Sequence, residues 1–154
     1  MSHHIGRSLN RIAFNATTHC LTGCAIGEVL GMVAGTAFGW SNPATIVLSI
    51  ALAFLIGYSF TVVPLLRTGM ALRIVLPLAF AADTLSITTM ELVDNAVIVF
   101  IPYALNAGLT DFLFWGSLAI SLVLAGIAAF PVNRWLIAGH KGHAIIHEAL
   151  PHHH

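Results

Sequence analysis

Apolar residues run along this chain in four stretches of about twenty, each long enough to cross the hydrocarbon core of a bilayer as a helix. The first extends over about 18–40. Ser41-Asn42-Pro43 interrupts it and starts a second helix, because proline suits a first turn and Ser or Asn can cap it, and that span reaches about 63. Pro64 to Arg73 reads as a turnaround. The third span covers about 77–102 and carries Asp83, Glu91 and Asp94, with Asn106-Ala107-Gly108 closing it, and the fourth covers about 112–130. The tail over 131–154 is short, amphipathic and rich in histidine. The pattern predicts one all-α integral membrane domain over 1–154, a polytopic four-transmembrane-helix bundle with no soluble domain or long linker.

Within the first span Gly23, Gly27, Gly31, Gly35 and Gly39 recur at every fourth position. Lipid tails are as apolar as leucine, so helices in a membrane associate largely by close van der Waals packing, which small residues at this spacing permit. The row predicts a glycine-zipper face against a partner helix, and Gly57 in the second span looks isolated by comparison. Cys20, Cys24, Glu28 and Met32 repeat at the same spacing on an adjoining face. A four-residue step overshoots a helical turn by roughly 40°, so the two rows wind around the helix together.

Composition sharpens the class. The chain of 154 residues is 58% apolar and only 8% charged, with zero formal net charge, and its mean hydropathy is +0.91. No basic field is available to attract nucleic acid. The basic residues set an orientation: Arg7 and Arg11 precede the first span, Arg67 and Arg73 join the second to the third, and Arg134 and Lys141 follow the fourth. All lie on one side, and the connections on the other side have neither Lys nor Arg. The positive-inside rule then places both termini in the cytoplasm, as expected of an inner-membrane protein. A cleaved signal peptide is not expected, because the first apolar run is too long and holds a glutamate.

That topology makes the first and third spans parallel. Glu28 falls near mid-bilayer, and Glu91, about 14 residues past Pro77 and roughly 21 Å along its helix, reaches a similar depth. Asp94 stands one turn further on, beside Asn95. A carboxylate facing lipid costs on the order of 3 kcal/mol, so these groups are expected to face the interior and either pair, bind a cation or stay protonated. His19, Cys20 and Cys24 sit at the cytoplasmic mouth of the first span. Thiolate and imidazole are ligands for Cu(I), and two thiols with an imidazole or carboxylate also suit Zn. Buried cysteines equally serve as small apolar residues in a glycine-rich seam. Thr84, Thr88 and Thr89 either line a polar path or bond back to their own helix carbonyls. Met32 and Met90 read as core fillers. His140, His143 and His147 have the spacing of a surface metal site on a helical tail, and His152–His154 is either native or a tag remnant.

Thr18-His19-Cys20 with Gly23-Cys24, Gly27-Glu28-Val29-Leu30-Gly31-Met32, Ala82-Asp83-Thr84-Leu85-Ser86 with Met90-Glu91 and Val93-Asp94-Asn95, and Phe130-Pro131-Val132-Asn133-Arg134-Trp135-Leu136 resemble the small prokaryotic membrane proteins of domain of unknown function 4396. The resemblance spans most of the chain and implies one autonomous domain, without an activity or substrate. No nucleophile with a base and an orienting group is recognisable, so an enzyme is not expected. The residues point to binding and passage of a soft or transition-metal, copper-like cation, with His19, Cys20 and Cys24 at the mouth and Glu28, Glu91 and Asp94 as a buried relay. Two other classes stay open: an accessory subunit of a larger membrane complex, and a membrane thiol redox protein. Lipid surrounds the chain in each case, and the glycine row suits a homo-oligomer or a complex.

Overall fold

The computed structural model describes the backbone of residues 2–149, and the side chains of 9–139 apart from 78 and 105. The architecture is all-helical: α1 (Ser2–Ala37), α2 (Asn42–Arg67), α3 (Leu72–Phe100), a short 3-10 turn at Ala104–Asn106, and α4 (Phe112–Ala149). Four segments of these helices, Leu9–Ala37, Asn42–Arg67, Leu72–Phe100 and Phe112–Gly139, are long and apolar enough to cross a membrane. The chain is a multi-pass membrane protein, and large apolar side chains such as Val47, Leu55, Leu92, Phe100 and Ile127 are exposed on its outside.

The α1–α2 pair is built on glycine. A Cβ added to Gly23 would lie 3.0 Å from Gly57 Cα, one at Gly27 2.6 Å from Leu52 C and against the backbone of Ala53, one at Gly31 2.7 Å from Ser49 N, and one at Gly35 2.8 Å from Thr45 Cβ. As the glycine number rises by four the facing residue falls by four, so the helices are antiparallel and in register. Gly57, which looks isolated in the sequence, is Gly23's partner on this seam.

Gly39 does not belong to the row. It sits at φ +65° just past the end of α1, where its N–H bonds Thr36 O at 3.1 Å and the Trp40 N–H reaches back to Gly35 O at 2.9 Å. These bonds define a Schellman helix stop, which needs a left-handed residue that glycine adopts without strain. The helix ends there because its last carbonyls are satisfied by the turn.

Prolines mark the helix ends less well than expected. Pro64, Pro77 and Pro131 all lie inside helices, since one proline removes a single i to i−4 hydrogen bond and the flanking turns still pair. α2 therefore runs on to Arg67, α3 begins at Leu72, and α4 continues through 131–149, where a separate tail was expected. At its other end α3 stops at Phe100, short of Pro102, and Tyr103 takes the left-handed conformation at φ 64°. α4 is tied to α1 at this basic end: buried Asn133 Nδ2 donates to Thr17 Oγ1 at 2.9 Å, and Arg134 Nε donates to Asn10 Oδ1 at 2.7 Å.

The core that centres this bundle joins Cys20 and Cys24 of α1, Ala53 of α2, Ile87 and Met90 of α3, and Ala125 and Ala129 of α4. Small residues from α1, α2 and α4 let α3 bring its larger side chains to the axis.

Candidate functional site

α1 and α3 bring three acidic side chains to one place. Glu28 is 2% exposed, Glu91 5% and Asp94 2%. The Glu28 carboxyl faces those of Asp94 and Glu91. Ionised carboxylates only accept hydrogen bonds, so three of them facing one another cannot satisfy each other. Glu28 Oε2, both carboxyl oxygens of Glu91, and Asp94 Oδ1 are enclosed without a hydrogen-bond partner. Nearby donors bond to backbone carbonyls: Asn95 Nδ2 donates to Glu91 O at 2.9 Å, Ser121 Oγ to Leu118 O at 2.9 Å, and Ser49 Oγ to Glu28 O at 3.3 Å. Unpaired buried carboxyl oxygens are costly in any protein, and more so in a membrane, where charge requires a counter-charge, a proton or water.

The acids close one end of a cavity of about 430 Å³. Its polar lining includes Thr45, Ser49, Asn95 and Ser117, its apolar lining Met32, Ile46, Ile98, Phe114 and Leu118, and it reaches the connections at the end of the bundle remote from the arginines, around Trp40, Asn42 and Asn106. At that mouth Asn42 Nδ2 donates to Asn106 Oδ1 at 3.2 Å, linking the start of α2 to the α3–α4 connection. The sequence singled out the acids but not this vestibule. Its walls come from loop residues and from one face each of all four helices, and no periodicity in the sequence relates them.

On the other side of the acids lie the thiols. Cys24 neighbours both Cys20 and Glu91, and Ser86 Oγ donates to Cys20 Sγ at 3.7 Å. Both cysteines are free and buried, with Met90 in the same cluster. A line of polar groups thus descends from the vestibule through Glu28, Glu91, Cys24 and Cys20 to Ser86, towards Asp83, which has Thr61 and His19 beside it.

His19 does not join the thiols. Its Nε2 donates to Phe60 O at 2.9 Å, and its ring meets the Phe60 ring edge-on at 5.0 Å. Among the described residues no group of three or more His, Cys, Asp and Glu side chains is arranged to hold a metal ion. Thr84 and Thr89 hydroxyls donate to Phe80 O at 2.7 Å and Leu85 O at 2.8 Å, the back-bonding alternative for threonines in membrane helices; Tyr58 adds a side-chain bond to Thr84 at 2.7 Å. Met32 lines the vestibule. The side chains of His140, His143 and His147, and residues 152–154, lie outside the described residues.

The family pattern described as domain of unknown function (DUF4396) matches residues 10–142, and the chain belongs to that family. No curated protein and no solved structure matches it.

Proposed function

We propose that this DUF4396 member is a membrane protein that binds a cation at Glu28, Glu91 and Asp94, takes it up through the vestibule opposite the arginine-rich end, and hands it or a proton on along the Cys24–Cys20 line. With the arginines on the cytoplasmic side, the vestibule opens outward. The observation that carries this reading is Glu91: two carboxyl oxygens without a partner, faced by two further acids, in the interior of a membrane-spanning bundle. Such groups mark ion or proton handling more often than they support a fold. The reading is tested by infrared difference spectra of the purified protein on adding a cation. Carboxyl stretching bands should change in the parent and stay silent in Glu91→Gln; a spectrum without carboxyl changes in the parent removes the site.

A copper-like ion is the cation that the thiols would favour. Support for it is narrower, since His19 is engaged with Phe60 and the soft donors left in one cluster are Cys20, Cys24 and the Met90 thioether. Sulfur donors of this kind select Cu(I) over hard cations. An accessory role in a larger complex would instead use the exposed apolar faces, which lipid also explains.

A further inference from the structure

The vestibule is larger than an inorganic ion requires. Its 430 Å³ equals about fourteen shares of liquid water at ~30 Å³ each, and falls within the roughly 300–1,000 Å³ of sites that enclose small organic molecules. Its wall divides by chemistry. Met32, Ile46, Ile98, Phe114 and Leu118 give an apolar middle, Trp40 an aromatic surface at the mouth, and Glu28, Glu91 and Asp94 an acidic floor. On that floor four enclosed oxygens accept no hydrogen bond, and no side chain among the described residues brings a cation to them. The three acids do not form a metal-holding cluster. Acceptors in excess call for a ligand that supplies several N–H groups and a positive charge at once.

We infer that the vestibule binds a small organic ammonium compound, its protonated amine on the carboxyls of Glu28, Glu91 and Asp94 and its hydrocarbon body along Met32, Ile98 and Phe114 towards Trp40. A primary ammonium has three N–H donors, as a lysine head does, and charge-assisted bonds to carboxylates are roughly twice as strong as neutral ones. The apolar body fills a space that an inorganic ion leaves to water, and the Trp40 face attracts a cation passing the mouth. Selectivity follows from the same division, because a neutral molecule of equal shape leaves the carboxyl oxygens unpaired. The inference rests on the acidic site proposed above and adds the class of its ligand.

The test is calorimetric titration of the full-length protein in detergent with benzylammonium, ammonium, benzyl alcohol and Zn²⁺. Benzylammonium should bind saturably and at least about tenfold tighter than ammonium, benzyl alcohol should not saturate, and Glu91→Gln should weaken benzylammonium by at least about tenfold, the equivalent of one lost bond to a charged group. Trp40→Ala, at a half-exposed position that the helical core does not use, should weaken benzylammonium by a larger factor than ammonium, which keeps the test open if Glu91→Gln fails to fold. Glu91-dependent binding of ammonium or Zn²⁺ without binding of benzylammonium overturns the organic ligand and leaves the cation site. Binding of no cation in a Glu91-dependent way overturns both.

Discussion

His19 Nε2 donates to the carbonyl oxygen of Phe60 at 2.9 Å, and Phe60 is the residue whose carbonyl is left free because Pro64, four positions on in α2, has no N–H. The imidazole of α1 replaces a backbone donor missing from α2. A carbonyl can only accept, so Nε2 carries the proton of this bond. The sequence suggested a metal ligand at His19; the partner it has is a structural one created by a proline.

His19→Ala should therefore destabilise the protein by about 1 kcal/mol, the net worth of a typical hydrogen bond, because this one is exposed. Pro64→Ala restores the N–H, so in that background the loss of His19 should cost less. Denaturation in detergent of both single variants and the double variant gives the coupling, expected at about 1 kcal/mol. Additive effects would mean that His19 does not serve the Pro64 gap.

Glycine substitutions should rank by what the new methyl meets. Gly27→Ala drives a Cβ into the Ala53 backbone, which cannot yield, and should cost about 1–3 kcal/mol. At Gly57 the obstacle is the end of the Ile87 side chain, 2.8 Å away, which can rotate, so Gly57→Ala should cost less. Gly116, with nothing within 4 Å, should gain roughly 0.4–1 kcal/mol as alanine. Thermal melts of the three variants check the order, and equal melting temperatures for Gly27→Ala and Gly116→Ala would remove the register from α1 and α2.

The helices and the inward placement of the acids were legible because both follow from one-dimensional physics. Apolar length gives the spans, and helical rise puts Glu28 and Glu91 at one depth, where the structure has them facing each other. Helix ends were harder. Pro64, Pro77 and Pro131 look like stops, yet tertiary contacts such as Asn133 with Thr17 hold the chain helical past them. Gly39 looked like the fifth member of a row, but its backbone geometry makes it the stop. The vestibule could not be read at all, since Trp40, Asn95, Asn106 and Phe114 meet only once four helices are assembled.

Asn133 offers a contrast between two polar ties at the same end of the bundle. Its amide is buried on Thr17, whose hydroxyl donates in turn to Ala13 O at 2.9 Å. Arg134 makes a bond of similar length to Asn10 in an exposed setting. Asn133→Ala should lower stability by about 1–2 kcal/mol through the lost buried bond, and Arg134→Ala by less than about 1 kcal/mol, because water can replace an exposed partner. The reverse order in denaturation midpoints would show that the exposed tie, not the buried one, holds α4 against α1.

The thiols allow packing to be separated from ligation. Cys20 and Cys24 are buried beside Met90, where a cysteine can act as a small apolar residue, so Cys20→Ala/Cys24→Ala should keep the bundle folded at a modest cost. If the pair holds a soft cargo, that same variant loses stoichiometric Cu(I), and Met90→Leu, which keeps side-chain volume but removes the thioether, weakens it. His19→Ala should leave Cu(I) binding intact, because the imidazole is committed to Phe60 O rather than to sulfur. We expect this pattern from copper titration of the reduced protein: loss in the double cysteine variant, weakening in Met90→Leu, no change in His19→Ala. Copper content equal in the parent and the double cysteine variant leaves Cys20 and Cys24 with packing alone, and a loss in His19→Ala equal to that of the double variant would mean that the imidazole leaves Phe60 to bind metal.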